Sequence, residues 1–312
     1  MKRIATISPV WGCSVEDLRA LAREAEAAGF EAIFSPEVPP YSAIANAQVF
    51  AEATSTIKVG TWIANIYTRH PVIAAAEALT IQEVSGGRMV LGLGVSHKPI
   101  NDKFGIDMGN PIEKMREYAN AVRSFTDGSS ELLALKRDLP PVPIYIAGLT
   151  KKTAELAGEV ADGIMCYMAS VNYVPTIVEA VKSGAAGAER FASKIDITNG
   201  IPTFISEDQE SAYKAAAKGL APYARFPFYQ RMIRNVGYPE IVESIKGGAS
   251  PLEAFTNDFL DDVALVGPAA KCRERLEAYR EAGVRLPIIV PSSVGKQSNV
   301  EVMQTVVKAL GE

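Results

Sequence analysis

The chain has 312 residues, 48% of them hydrophobic, and a formal net charge of −4. That length suits one β/α barrel with an insertion, and the apolar share supports a large core. No basic run stands out, which argues against a nucleic-acid partner, and no uninterrupted apolar stretch approaches ~18 residues, which argues against a membrane partner.

Residues 1–8 lack the long apolar stretch of a signal peptide. Cys13, Cys166 and Cys272 lie far apart and form no CxxC pair. They read as reduced thiols of a cytoplasmic protein, with no metal site among them.

The first strand is expected near 3–8. Ser14 then caps a helix over 14–28, with Asp17 at the capping-box position. Leu18, Leu21, Ala22, Ala25 and Ala28 recur at helical spacing, and Gly29 supplies a left-handed exit. The grammar repeats. Further strands are expected near 31–35, 57–63, 89–95, 143–147, 163–167, 196–205 and 286–290. Helices fall near 41–53, 71–83, 111–126, 151–160, 172–184, 207–220 and 268–282. Pro111 behind Asn110 reads as a first-turn proline behind a cap, and Pro268 behind Gly267 reads the same way. Ala28-Gly29, Asp162-Gly163 and Ala282-Gly283 each precede an apolar run.

Eight strands alternating with helices leave a closed barrel or an open doubly wound sheet. The open sheet wants a GxGxxG turn after its first strand, and the residues Ser8 to Cys13 do not supply one. The expected fold is therefore an α/β (β/α)₈ TIM barrel, one domain over 1–312, with a helical insertion at about 221–260 before the last strand. The insertion carries Phe226, Phe228 and Tyr229, too aromatic for disorder. It reads as a lid or as a packing or oligomer contact. Residues 297–311 read as a closing helix.

In such a barrel the site forms from the residues just after each strand. His97 follows strand four and can move a proton near neutral pH; a hydrogen-bonded structural histidine is the other reading. His70 precedes Pro71 and reads as a helix-positioning residue. Glu37 is the carboxylate at the end of strand two, a proton carrier or a solvated rim charge. Gly148-Leu149-Thr150-Lys151-Lys152 opens a helix: either its amides and two lysines attract phosphate, or a glycine and a cap residue simply make an ordinary strand-to-helix turn. Gly92 and Gly94 either admit a flat ring to the backbone or serve tight barrel packing. Trp62, Ile63, Tyr67 and Met168 suit a pocket for an organic cofactor that brings its own reactivity. No metal cluster or GxSxG elbow is legible. An isomerase or aldolase would want an interior lysine, and Lys58 sits at a strand start.

The run Ile57 to Pro71, followed by Ala78-Leu79-Thr80 and Ser85-Gly86-Gly87-Arg88-Met89-Val90-Leu91-Gly92-Leu93-Gly94, resembles the luciferase-like monooxygenases. Asn65-Ile66-Tyr67-Thr68-Arg69-His70-Pro71 is similar to the deazaflavin branch that holds methylenetetrahydromethanopterin reductase. The resemblance implies hydride transfer between coenzyme F420 and a small-molecule substrate, with FMN-dependent monooxygenation as the alternative. A non-catalytic flavin-binding protein is the alternative of another class.

The resemblance assigns proton handling to His97 and Glu37. It matches Trp62, Ile63, Gly148 and Leu149 to cofactor contacts; Thr61, Asn65, Ser96 and Met168 are expected beside them as residues at the strand ends. Trp62 and Ile63 match the place where deazaflavin enzymes bend strand three, often through a cis peptide. His97 stands where the sugar-phosphate enzyme of the family has an acidic residue, a departure that argues against glucose 6-phosphate. Family members commonly form homodimers, so a homodimer is expected.

Overall fold

The computed structural model describes residues 2–131 and 137–311. Its strands are β1 (Ala5–Ile7), β2 (Ala32–Ser35), β3 (Lys58–Thr61), β4 (Ala64–Asn65), β5 (Met89–Gly94), β6 (Ile144–Ala147), β7 (Gly163–Tyr167), β8 (Asp196–Ile205), β9 (Leu265–Gly267) and β10 (Leu286–Pro291). All pair in parallel, in the order β10-β1-β2-β3-β5-β6-β7-β8. β10 also pairs with β8, so the sheet closes into an eight-stranded barrel with helices outside. β4 and β9 are short additions along β5 and the end of β8.

The expected strand 57–63 is two pieces. β3 stops at Thr61, the Trp62–Ile63 peptide is cis, and β4 resumes at Ala64. Among the described residues, β9 and the short helix Lys98–Lys103 are elements that the sequence did not announce. The insertion folds as helices Pro227–Asn235, Pro239–Lys246, Pro251–Ala254 and Asn257–Val263.

Alternation decides which side chains fill the barrel. Ala5 and Ile7, Ala32 and Phe34, Val90, Tyr145, Met165, Leu286 and Ile288 pack inward as one cluster. Trp62, Ile63 and Val290 cover its upper end. The alternate residues pack outward on the helices.

Glycines give the interior its room. A Cβ on Gly92 would run into Thr61 O and the Met165 sulfur, and one on Gly94 into the Ile63 side chain. Their space belongs to protein atoms, so of the two readings tight packing holds and the flat ring does not. Gly29 and Gly283 are left-handed, as a helix exit needs. Gly163 is not; it opens β7, where a Cβ would lie 2.7 Å from the Tyr145 ring.

Caps hold the helix starts. Ser14 and Asp17 form the expected capping box, and Asn110 accepts from the Ile112 amide in front of the helix Pro111–Asp127. Pro268 is the cap residue itself and not a first-turn proline. His70 accepts from the Val72 amide at the start of helix Pro71–Val84, the structural part expected of it. Arg88 donates to the carbonyls of Ala51, Thr54, Ile57 and Ser85, closing the end of helix Ala43–Ala53.

The N-terminal face is tied by charge. Arg3 donates to both Glu31 oxygens at 2.6 and 2.8 Å and to both Asp196 oxygens at 2.7 and 2.8 Å. Tyr145 reaches down to donate to Asp196, and Lys58 pairs with Glu31 at 2.9 Å. Lys58 is thus on the face away from the mouth. The three cysteines are free, and among the described residues no helix is long and apolar enough to cross a membrane.

Glu26 joins the first helix to the start of β3. Burial opposes its charge, but hydrogen bonds from the amides of Thr56, Ile57 and Ser55 and from the Thr56 hydroxyl pull its pKa down to about 2. A carboxylate depressed on folding stabilises the native state above its unfolded pKa, and that contribution is lost as pH falls through the folded one. Glu26→Gln is expected to cost about 1–2 kcal/mol at pH 7, after allowance for solvent screening. The gap to wild type should close as pH falls from 4.5 toward about 2. Denaturant midpoints against pH check this; a gap constant with pH would refute it.

Candidate active site

The C-terminal ends of the strands carry an aromatic mouth. Trp62, after β3, meets Tyr167, the last residue of β7, at 5.2 Å between ring centroids and 78° between planes. The indole lies across Gly200 of β8, where a Cβ would come within 2.5 Å of it. From the insertion, Tyr223 and Tyr229 pack on Tyr167 at 5.2 and 6.1 Å and on each other at 4.9 Å. The Tyr167 and Tyr229 hydroxyls are held protonated, their pKa values pushed well above the usual range mainly by burial. The insertion therefore covers the mouth. The Trp62 Nε1 is buried and has no hydrogen-bond partner among the described residues.

His97 sits at this mouth, immediately before the helix Lys98–Lys103. Its ring stacks on Phe226 at 4.9 Å with planes 9° apart, and tilts against Tyr229 at 5.6 Å. Burial lowers its pKa, so the neutral imidazole is the form present near pH 7.

Glu37 has another task. Its oxygens take both contacts from Arg69 Nη1, at 2.6 and 2.9 Å, and the amide of Asn65 at 2.7 Å. Arg69 also donates to Ser42, the cap of helix Ala43–Ala53. Glu37 is thereby an anchor for the bent segment after β3, and its lone pairs are engaged. Of the two residues assigned proton handling, His97 alone lies among the mouth aromatics.

The expected cofactor contacts divide in the same way. Thr61 uses its hydroxyl on both the carbonyl and the amide of Gly92. Asn65 bonds Asn101 and the Tyr67 amide. Leu149 is buried in the outer core. Trp62 and Ile63 top the barrel interior. Ser96 and Met168 follow β5 and β7 with φ of 55° and 58°. A left-handed conformation costs a non-glycine residue about 1–2 kcal/mol and persists where neighbours enforce it. Here the Met168 amide donates to Gly200 O, and Asn199 brackets Ala169 with two hydrogen bonds.

Gly148 makes room for the Thr150–Thr153 capping box, since a Cβ there would meet the Thr153 side chain. Beside that box lies a cavity of about 430 Å³, lined by Thr150, Lys151, Lys152, Tyr173, Arg231 and Asn235. Lys151 and Lys152 open the helix Lys151–Val160, and Arg231 comes from the insertion. The sequence reading missed Arg231 and Tyr223, and it reached Tyr167 only as one of the residues ending a strand. Tyr167 was readable as the inward-facing end of a strand. Arg231 carried no local signal.

The fold is a (β/α)₈ TIM barrel whose strand ends carry an aromatic mouth under the insertion, with a cationic cavity beside it. The chain belongs to the luciferase-like monooxygenase family, whose model matches residues 6–286. It is 27% identical over 267 residues to 5,10-methylenetetrahydromethanopterin reductase of Methanolobus tindarius, covering 79% of this chain and 81% of that protein. The structure of the coenzyme F420-dependent tetrahydromethanopterin reductase of Methanopyrus kandleri superposes with a TM-score of 0.80 at 21% identity, covering 99% and 98% of the two chains. The oxygenating constituent of 3,6-diketocamphane monooxygenase from Pseudomonas putida, solved with FMN, superposes with a TM-score of 0.69 at 17% identity and covers 99% and 98%. Family members are thus oxidoreductases and monooxygenases.

Arg69→Met would leave the Glu37 charge half-buried and unpaired. It should cost about 1–3 kcal/mol, less than a fully buried pair because water still reaches the site. Glu37→Gln should cost less, because the amide oxygen can still accept from Asn65. Thermal unfolding of both variants tests this; an Arg69→Met midpoint equal to wild type would show that the pair is not an anchor.

Proposed function

We propose that this protein is an F420-dependent oxidoreductase that transfers a hydride to or from a small organic substrate. The observation that carries the reading is the cationic cavity beside the aromatic mouth. Lys152 and Arg231 reach it with no acidic partner among the described residues, and Lys151 lies 4.0 Å from Glu155. That donor set fits a phosphorylated cofactor, and the unpartnered Trp62 Nε1 offers a further donor at the mouth. The two reductases named above support the deazaflavin.

Bound there, a deazaflavin would supply the carbon that accepts or releases hydride. The chain's own residues do the rest. Lys151, Lys152 and Arg231 bind the phosphate. Tyr167, Tyr223 and Tyr229 exclude water from the mouth. His97, neutral when covered, gives or takes the proton that accompanies the hydride. An FMN-dependent monooxygenase is the second reading, favoured by the FMN-bound structure from Pseudomonas putida and served by the same cavity. The proposal includes a cytoplasmic homodimer, for which sedimentation at working concentration is the check.

Titration of the purified protein with coenzyme F420 and with FMN, followed by fluorescence, tests the reading. Micromolar F420 binding with much weaker FMN binding is the expected outcome. Preference for FMN would move the protein to the oxygen-using branch, and binding of neither would remove the cofactor. With a substrate in hand, His97→Ala should lower turnover about 10²–10⁴-fold and leave cofactor affinity within about threefold. Unchanged turnover would take His97 out of the reaction. Arg231→Ala should weaken cofactor binding about tenfold or more, the loss of one charge-assisted hydrogen bond, and more at low salt than at high salt.

A further inference from the structure

His97 belongs to the barrel, but its environment belongs to the insertion. Phe226 directly precedes the helix Pro227–Asn235, and Tyr229 lies in that helix's first turn. Their rings contact the imidazole at 4.9 and 5.6 Å. Tyr229 is itself pinned between Tyr223 and Tyr167. The stack on Phe226 is nearly parallel, at 9°, so it restrains the plane of the imidazole as well as its position.

The groups around the ring decide which form of histidine this place holds. On its own segment, the Lys98 ammonium turns away to Asp102 at 2.7 Å, and Ser96 is uncharged. From the insertion come a phenyl and a phenol that burial keeps protonated. Arg225 is exposed, and Tyr167, behind Tyr229, is neutral as well. Loss of water is the one influence resolved on the imidazole, and among the described residues no carboxylate offsets it. An imidazolium needs water or an acceptor at both nitrogens. A stacked phenyl attracts a cation but replaces neither.

We infer that Phe226 is a positioning residue for His97: its ring, laid on the imidazole by the insertion, holds His97 in one plane and in its neutral form while the mouth is covered. The cover and the proton are then linked. Closing the insertion over His97 expels a proton from it, and protonation favours the open form to the same extent. The sign follows from a lowered pKa. The covered state is favoured above the ordinary histidine value of about 6.5 and loses that advantage as pH falls below it. The inference rests on the proposed role of His97 only for its effect on turnover, because the contact itself requires no cofactor.

The chain has two histidines, His97 and His70, so imidazole titration by ¹H–¹⁵N NMR is resolvable in the cofactor-free protein. His70→Gln assigns the signals. In wild type, His97 should titrate below the ordinary histidine value of about 6.5. In Phe226→Ala, the His97 midpoint should rise toward the ordinary value of about 6.5. Phe226→Tyr, which keeps the ring, should restore the wild-type midpoint. A loosened fold would show as a lowered thermal midpoint, and Phe226→Leu replaces the alanine variant if that one unfolds. A His97 midpoint that is unchanged or lower in the folded variant overturns the inference. The F420 and FMN titrations are read separately, so failure here leaves the cofactor reading standing, and the reverse.

Discussion

Everything in this molecule depends on barrel closure. β10 must pair with β1 on one side and β8 on the other, and both pairings are parallel. Parallel strands need crossovers, so each strand is followed by a helix on the outside. Closure also divides the side chains into those that fill the interior and those that meet the helices. Interior space is scarce, and that explains Gly92, Gly94, Gly163 and Gly200, each facing a side chain or carbonyl that leaves no place for a Cβ. The two ends then take different work. Arg3, Glu31, Asp196, Tyr145 and Lys58 lock the N-terminal end with paired charge. The C-terminal end receives the loops and the insertion.

The mouth is unusual in how few polar groups are left for a ligand. Thr61, Asn65, Asn199 and Glu37 are close to it, yet each satisfies backbone or side-chain groups of the protein. These bonds hold bent backbone in place around Asn65 and around Ser96 and Met168. What remains is a set of rings with one imidazole and one unpartnered indole N–H. Charge for an anionic ligand is gathered in a separate cavity. The proposed function uses this division: the cofactor would carry the chemistry, the cationic cavity would anchor its phosphate, and the rings would keep water from the reacting face.

Much of this was legible before any coordinates. Strand-helix alternation, caps at Ser14 and Asn110, and left-handed exits at Gly29 and Gly283 are local signals, and local signals survive folding. His70 and His97 were separable by position alone, one before a helix-starting proline and one after a strand. Other features were hidden because they are pairings between distant segments. Nothing near Glu37 in sequence shows that Arg69 will take both its oxygens. Nothing near Thr61 shows that its hydroxyl will be absorbed by Gly92 across the sheet. The break between β3 and β4 left no mark in the periodicity, because Ile57 to Ile63 carries strand character throughout; only the family resemblance marked the bend, at Trp62 and Ile63.

The sequence by itself determined the barrel, the order of its elements, the family, and the list of strand ends from which a site must be drawn. The barrel, its element order and its strand ends follow from periodicity and turn chemistry, which act over a few residues; the family follows from the resemblance carried by the runs Ile57 to Pro71 and Ala78 to Gly94. Tertiary structure alone decided which of those residues are free to act. It brought Phe226 and Tyr229 from the insertion onto His97 and Arg231 beside Lys151 and Lys152. Hydrogen-bond capacity and solvent access belong to a residue's neighbours in space, and folding sets those neighbours only when the barrel has closed.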